Sequence, residues 1–173
     1  MPKPWHERDT RLMETQPESR SRYRYWLNIP SRWQDGDPYG HVNNVVYYSW
    51  FDTVITRMLF EHLVLRRHDW NAIGFCIESQ CTFHAPVTFP ESVDAGLRIG
   101  RIGNSTLRYE IGLFKANEEK PCATGYFVHV FVDAHTRRPI SLIDPVREAM
   151  KHLMPPGCIQ PAATQLAEQT MTQ

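Results

Sequence analysis

The hydrophobic pattern of the chain changes its period once, from that of a helix to that of strands. After residue 43, apolar side chains recur at three- and four-residue steps, which is the spacing of one helix face. These apolar positions are Tyr47, Phe51, Val54, Ile55, Met58, Leu59 and Leu63. Asn43 or Asn44 is a suitable N-cap. The pattern therefore predicts a long helix of about five turns.

An alternation with a period of two follows this helix and is typical of strands with one buried face. The predicted strands, in chain order, cover residues 25–33, 73–85, 93–100, 107–113 and 126–132. The last of them is apolar on both faces, which indicates a central position in its sheet. A short helix is predicted from Pro145 to Leu153, with Asp144 as its N-cap and Pro145 at its first position.

The order strand, long helix, four strands and short helix predicts an α+β fold with a five-stranded antiparallel sheet. One helix cannot cover both faces of such a sheet, but the sheet can wrap around it. The other face or the edge is then left for a partner subunit. We expect a folded domain over residues 25–154, with a flexible arm at residues 1–24 and a flexible tail at residues 155–173.

Composition excludes several classes of function. The 19 basic and 19 acidic residues balance, so nothing indicates a surface for nucleic acid. The four cysteines form no CxxC pair, which favours reduced thiols in a cytoplasmic protein, and His and Cys spacing predicts no metal site. No apolar run approaches the roughly 20 residues of a membrane span.

The candidate catalytic residues lie just before the predicted long helix, in the stretch RWQDGDPYGHVNN at residues 32–44. Asp, Gly, Pro and Asn are turn-forming residues, so Asp35 and Asp37 are first of all candidates for turn and capping carboxylates. For Asp35 we keep that interpretation. Asp37 lies close to the predicted helix N-terminus, where unpaired N–H groups and the helix dipole favour a negative charge.

This stretch resembles the signature of hot-dog-fold acyl-CoA thioesterases of the 4-hydroxybenzoyl-CoA thioesterase type, and the order of elements resembles that fold as well. The specific part is Asp37-x-x-x-His41-Val42-Asn43-Asn44. Weaker similarities are Phe83-x-x-Pro86-Val87, Arg101-x-Gly103-x-Ser105 and Pro139-Ile140. The resemblance covers about residues 25–153 and implies a five-stranded antiparallel sheet wrapped around a central helix.

The resemblance also implies roles for individual residues. Asp37 corresponds to the general base or nucleophile for thioester cleavage, and the backbone N–H of Asn44 to the group that polarises the thioester carbonyl. His41 either fixes the loop or orients Asp37 or the substrate. No cofactor is implied, because coenzyme A is part of the acyl-CoA substrate.

Coenzyme A lies across a subunit interface in this family, which implies a homodimer or homotetramer. Candidate substrate contacts are Asn43 and Tyr47, although Asn43 also caps the helix and Tyr47 is equally suited to the core. A predicted hairpin carries arginines at alternating positions, Arg98, Arg101 and Arg108. They form either a solvated face of the sheet or a site that binds phosphate groups. Of this hairpin, Arg101, Ser105 and Thr106 are the candidates for coenzyme A. Arg137 and Arg138 are interpreted as a charged turn.

Two other functions stay open. Enoyl-thioester hydratases and dehydratases share the fold, but they place His five positions after Asp, whereas His41 follows Asp37 by four and Asp35 by six. The second alternative is a non-catalytic acyl-CoA-binding module. Residues 1–24 lack the periodicity of the helix-turn-helix that hot-dog regulators carry. The sequence does not identify the acyl group, nor does it distinguish direct attack by Asp37 from activation of water.

Overall fold

A long helix packed on an antiparallel sheet dominates the computed structural model, which describes residues 19–62, 64 and 70–155. The helices are α1 (Asn44–Glu61) and α2 (Asp144–Lys151). The strands are β1 (Tyr25–Pro30), β2 (Ala72–Phe83), β3 (Ser92–Ile102), β4 (Thr106–Lys115) and β5 (Pro121–Asp133). They form one antiparallel sheet in the order β1-β3-β4-β5-β2. The predicted α+β hot-dog architecture is confirmed.

The core lies between α1 and one face of the sheet. The helix buries the side chains that its period predicted, together with Trp50: Tyr47, Trp50, Phe51, Val54, Ile55, Met58 and Leu59. The alternating residues Val93, Ala95, Leu97 and Ile99 of β3 are fully buried. Gly125 on β5 allows α1 to pack closely on the sheet, because a Cβ atom there would lie only 2.5 Å from the Phe51 ring.

The other face of the sheet is partly covered by the chain's own N-terminal residues. Gly96 and Gly112 pair across β3 and β4, and the Tyr23 ring lies against both of them. The Arg20 guanidinium packs on the rings of Trp26 and Phe114 and forms an ion pair with Asp94 at 2.5 Å. The predicted flexible arm, residues 1–24, therefore includes residues that belong to the folded part, since Arg20 and Tyr23 pack on the sheet.

Smaller differences concern where elements end. The first strand stops at Pro30 rather than Trp33, because Trp33–Asp35 form a turn of 3-10 helix. Strand β5, predicted to be central, is an interior strand with β4 and β2 as its neighbours, although β4 lies in the middle of the sheet. Helix α2 begins one residue early, at Asp144. Residues 1–18, Leu63 and residues 156–173, which carried part of the predictions, lie outside the described residues.

Strand β2 forms one edge of the sheet and, among the described residues, pairs only with β5. Its twelve residues contain no proline and no lysine, and Phe75, Ile77 and Phe83 are exposed along it. Natural sheets usually protect such an edge with charge, proline or a covering element. Within the described residues, no helix is long and apolar enough to cross a membrane.

Candidate active site

Asp35 holds the loop that leads into α1. Its buried carboxylate accepts hydrogen bonds from the Arg32 main-chain N–H at 2.7 Å and from the Arg32 guanidinium at 2.8 Å. Its main-chain oxygen accepts the Asn43 N–H at 2.8 Å. Burial opposes ionisation of Asp35, but the hydrogen bonds and charge of Arg32 hold its pKa below the ordinary value. Asp35 is thus a structural acid, as interpreted from the sequence.

Asp37 uses only one of its two carboxylate oxygens for the loop. Oδ1 accepts the main-chain N–H groups of Tyr39 at 2.8 Å and His41 at 3.1 Å. The main-chain N–H of Asp37 donates to the His41 oxygen at 2.7 Å, and Gly40 completes the turn with a φ of +84°. Oδ2 accepts no hydrogen bond from the part of the chain that the structure describes. The turn role and a reactive role are therefore compatible in one side chain.

The N-terminus of α1 begins seven residues after Asp37. Asn43 is the N-cap, and its side-chain oxygen accepts the Val45 N–H at 3.1 Å. Asn44 is the first helical residue, and among the described residues nothing accepts a hydrogen bond from its main-chain N–H. Such an N–H group, at the positive end of the helix dipole, can stabilise negative charge on an oxygen atom.

Asp37 and Asn44 line the same cavity, whose volume is about 420 Å³. Its walls come from the loop before α1, the first turn of α1 and the segment that follows β2. The lining residues are Asp37, His41, Val42, Asn43, Asn44, Tyr47, Phe83, His84, Ala85 and Pro86. The Val42 N–H donates to the Val87 oxygen at 2.8 Å, which joins the two loops. All four residues predicted from the signature, and Tyr47, thus meet at one site.

Tyr47 belongs both to the core and to the cavity wall. Its ring is buried and meets the Phe83 ring edge-on, with centroids 5.0 Å apart. Its hydroxyl oxygen accepts the Val87 N–H at 3.3 Å. Burial raises the pKa of Tyr47 to about 12, so the phenol is neutral at physiological pH.

The two histidines of the cavity differ in their contacts. The imidazole of His41 makes no hydrogen bond with the described part of the chain, and His41 holds Asp37 through its main chain alone. His84 Nε2 lies 2.8 Å from Thr124 Oγ1, and burial lowers the pKa of His84. The contribution of residues 83–86 was not predicted, although the Phe83-x-x-Pro86-Val87 similarity was the signal that could have revealed it.

The candidates on the β3–β4 hairpin lie elsewhere in the protomer. Thr106 pairs with Val130 near the end of β5, whereas the cavity-lining Phe83 pairs with Ala123 near its start. Arg101, Ser105 and Thr106 are therefore not brought together with Asp37 of the same chain.

The other two arginines of this hairpin do not form the solvated face that the alternation suggested. Arg98 is 5% exposed, and its Nε donates to Glu110 at 2.7 Å, because Tyr23 covers this part of the sheet. The Arg108 guanidinium also contacts Glu110, at 3.4 Å, and lies 3.5 Å from the centroid of the Tyr126 ring. Both charges already have partners within the protein.

No three side chains of His, Cys, Asp or Glu in the described ranges lie close enough together to hold a metal ion. The polar groups of the cavity are thus one carboxylate, one free main-chain N–H, a phenol, two imidazoles and the Asn side chains. A carboxylate that shares a cavity with an N–H donor at a helix N-terminus is suited to attack on a carbonyl whose oxygen gains charge.

Comparisons with known proteins show the family to which the chain is similar. The family model of the thioesterase-like superfamily matches residues 31–150. The PA5185 protein of Pseudomonas aeruginosa is 40% identical, with a TM-score of 0.76, and the match covers 81% of this chain and 98% of that one. The PA2801 protein of the same organism, itself described as a thioesterase only on prediction, is 30% identical, with a TM-score of 0.65 and coverage of 72% and 95%.

A more distant structure shares the fold alone. The SAV2348 protein of Staphylococcus aureus was solved in complex with CoA and is 16% identical. Its TM-score is 0.69, and the match covers 86% of this chain and 94% of that one.

Proposed function

The chain belongs to the thioesterase-like superfamily, and from this premise we propose that it hydrolyses an acyl-CoA to a carboxylic acid and coenzyme A. The observation that supports the proposal most directly is the shared cavity of the Asp37 carboxylate and the Asn44 N–H. The carboxylate can attack the thioester carbon or activate a water molecule, and the N–H can stabilise the oxygen of the thioester carbonyl.

In the first route, Asp37 acts as a general base. Its free oxygen, Oδ2, takes a proton from a water molecule, and the water oxygen forms a bond to the thioester carbon. The carbonyl oxygen gains negative charge and is stabilised by the Asn44 N–H. The carbon–sulfur bond then breaks with its electron pair on sulfur, and the thiolate takes up a proton to give coenzyme A.

In the second route, Oδ2 attacks the carbonyl carbon directly, and the thiolate leaves to give a mixed anhydride with Asp37. Water then hydrolyses the anhydride, which releases the acid and restores the carboxylate. Both routes need the same two groups in the same places. The hydrogen bonds to Oδ1 serve either route, since they hold the carboxylate in place while Oδ2 accepts no hydrogen bond from the described residues.

His41, Asn43 and Tyr47 are proposed substrate contacts. The His41 imidazole is exposed and lines the cavity, so it can orient the substrate or the attacking water. Asn43 sets the geometry of the helix N-terminus through its cap, and Tyr47 with Phe83 provides an aromatic wall for the acyl group. These contacts support the proposal without identifying the acyl group.

The functional unit is proposed to be a homodimer formed through β2. This edge strand is twelve residues long, its outward main-chain groups have no neighbouring strand among the described residues, and it carries three exposed apolar side chains, Phe75, Ile77 and Phe83. Pairing with a second copy of the same strand would satisfy the main-chain groups and bury the apolar ones. Phe83 also lines the cavity, so the interface would border the active site.

The experiment that tests the activity measures release of free thiol from short, medium, long, branched and aromatic acyl-CoAs. Wild-type protein is expected to release CoA from at least one of them, and Asp37→Asn is expected to lose turnover while acyl-CoA still binds. Wild-type turnover in Asp37→Asn would show that Asp37 is not the reacting group. Tight binding without thiol release by the wild-type protein would favour a binding module.

A further inference from the structure

The first turn of α1 uses most of its own main-chain donors. The Val45 N–H donates to the Asn43 side-chain oxygen at 3.1 Å, and the Val46 N–H donates to the Asn43 main-chain oxygen at 3.0 Å. Both bonds belong to the cap and the turn that begin the helix. Of the first three N–H groups of α1, only that of Asn44 has no acceptor in the described part of the chain.

One N–H donor satisfies only part of an oxyanion. A carbonyl oxygen has two lone pairs, and an oxyanion hole stabilises the charge on it with donors that are already in place before the reaction. Because the main chain of the helix N-terminus supplies a single donor, a second protein donor has to be a side chain of the cavity wall.

Most polar side chains of the cavity are poorly suited to that role. The His84 imidazole and the Tyr47 hydroxyl are each engaged in a hydrogen bond within the protein. The side chains of His41 and Asn44 are exposed, and no hydrogen bond with a described residue holds them in one orientation. An oxyanion donor has to be held in place, because its effect depends on preorganisation.

The Asn43 side chain differs from these because the helix cap holds it. Asn43 is partly buried, and its Oδ1 is bound by the Val45 N–H. Since an N–H group can only donate, this bond requires an oxygen there, and Nδ2 with its two N–H donors is the other end of the amide. Nδ2 makes no hydrogen bond with any described residue. The Asn43 main-chain N–H donates to the Asp35 oxygen at 2.8 Å, which ties the residue to the loop.

The Asn43 amide is also a close neighbour of the Asn44 N–H. That N–H belongs to the peptide bond between the two residues, and both residues line the cavity together with Asp37. A side-chain amide on the N-cap residue and the first helical N–H can therefore bind the same oxygen atom, while the Asp37 carboxylate comes from the loop.

We propose that the side-chain amide of Asn43 donates a second hydrogen bond to the thioester carbonyl oxygen, beside the Asn44 N–H. The inference rests on the proposed function and assigns Asn43 a catalytic role in addition to capping. The hydrogen bond strengthens as the carbonyl oxygen gains negative charge and weakens when the carbon–sulfur bond breaks and the carbonyl re-forms. No proton leaves the amide and no bond to Asn43 forms in either route.

The first test separates the amide from the cap. Asn43→Ser keeps an oxygen that can cap the helix, so its thermal stability is expected to stay near wild type. For the best acyl-CoA of the panel, kcat is expected to fall about 10- to 100-fold, as for one lost hydrogen bond to a charged oxygen. KM is expected to change less than about threefold, because the donor acts mainly on the transition state. Wild-type kcat, or a loss confined to KM, would overturn the inference.

Asn43→Asp tests the same point with a side chain of nearly the same shape. Its carboxylate can cap the helix but offers no N–H group to an oxygen, so we expect a loss of kcat at least as large as in Asn43→Ser. The matched control, Asn28→Ser, removes an amide that donates to Asp94 at 2.8 Å outside the cavity, and it should leave kcat unchanged. Full activity in Asn43→Asp would contradict the proposal.

The infrared carbonyl band of a bound thioester separates this inference from the proposed hydrolysis, because it needs binding but no turnover. The probe is the acyl-CoA of the panel that Asp37→Asn binds most tightly, with an isotope label at the thioester carbonyl. A hydrogen bond to that oxygen lowers the stretching frequency, so adding Asn43→Ser to Asp37→Asn is expected to raise the frequency while the probe stays bound.

The outcomes of this experiment distinguish the two proposals. An unchanged band would overturn the role of Asn43, whether or not the wild-type protein hydrolyses the probe. A raised band in a protein that releases no thiol would support the donor and remove only the hydrolase proposal. Failure of every acyl-CoA of the panel to bind would overturn both.

Discussion

Two hydrogen bonds join Asp37 to His41 in the loop that leads into α1. The His41 N–H donates to Oδ1 of Asp37 at 3.1 Å, and the Asp37 N–H donates to the main-chain oxygen of His41 at 2.7 Å. The five residues 37–41 are thereby closed into one turn, and one carboxylate oxygen is held while the other accepts no hydrogen bond from the described residues. The loop depends on an oxygen acceptor at position 37, whereas the proposed chemistry depends on a negative charge there.

Substitutions at Asp37 should therefore separate stability from activity. Asp37→Asn keeps an oxygen that can accept the two N–H groups, and its free energy of unfolding is expected to stay close to wild type. Asp37→Ala loses both hydrogen bonds and is expected to cost about 1 kcal/mol, as for a lost cap. Both variants are expected to lose thioesterase activity. Urea denaturation and thiol release measure the two effects, and an Asn variant as unstable as Ala would contradict the proposed division of roles.

Asp35 should show the opposite behaviour. Its carboxylate is buried and holds Arg32, so Asp35→Ala leaves the Arg32 N–H without its acceptor. We expect a loss of about 1–3 kcal/mol in the free energy of unfolding. At a temperature where the variant is still folded, kcat is expected to remain within about tenfold of wild type, since Asp35 does not line the cavity. If Asp35→Ala lost activity as completely as Asp37→Asn while still folded, Asp35 would also belong to the catalytic machinery.

A charge on the β2 edge should prevent dimer formation. Ile77 is 61% exposed at an irregularity in the pairing of β2 with β5. Ile77→Lys adds a charge that would be buried at a β2–β2 interface but solvated in a monomer. We expect light scattering to show a dimer for wild type and a monomer for the variant, with loss of acyl-CoA hydrolysis. Phe60→Lys, at an exposed position near the end of α1, is the control and should leave the dimer intact.

Stability should fall in mild acid because of partly buried histidines. Burial lowers the pKa of His129, and the charge of Asp52 offsets this only in part. As pH falls below about 6.5, the unfolded chain takes up a proton before the folded one does. The free energy of unfolding then decreases toward lower pH, down to the folded-state pKa.

Replacing His129 by Gln should make the free energy of unfolding less dependent on pH below about 6.5, the pKa of an unperturbed histidine. Burial also lowers the pKa of His84, so His84→Gln/His129→Gln should flatten the profile further. Urea denaturation at several pH values gives the slopes. An unchanged slope in the double variant would assign the acid sensitivity to other groups.

Much of the fold could be predicted because α1 and the strands bury one face each, and a buried face gives apolar residues a regular spacing in the sequence. This spacing could not reveal what covers the sheet face that is turned away from α1. Arg98 occupies a position of β3 that the alternation assigns to the solvated face. It is nevertheless buried, because Tyr23, from outside the predicted domain, lies against Gly96 and Gly112. A contact between segments more than 70 positions apart has no local signal.

The candidate site divides in the same way. Asp37, His41 and Asn43 are close in sequence, and their turn and capping chemistry could be interpreted directly. Phe83 and His84 reach the cavity only because the segment after β2 packs on the loop before α1 through the Val42–Val87 hydrogen bond.

The proposed role of the Asn44 N–H can be tested by removing that group alone. Asn44 is the first residue of α1, where proline is well tolerated because its missing N–H has no helical partner. The preceding residue, Asn43, has φ −61° and ψ 142°, an extended conformation that a following proline favours. Asn44→Pro is therefore expected to keep the helix, the Asn43 cap and the thermal stability.

Asn44→Pro is nevertheless expected to lower kcat by about 10²- to 10³-fold, the usual effect of losing one oxyanion donor. Asn44→Ala keeps the main-chain N–H and should retain near wild-type kcat, which makes it the matched control. Circular dichroism confirms that both variants are folded, and thiol release gives kcat. Full activity in Asn44→Pro would remove the main-chain N–H from the mechanism. A large loss in Asn44→Ala would instead assign the effect to the side chain.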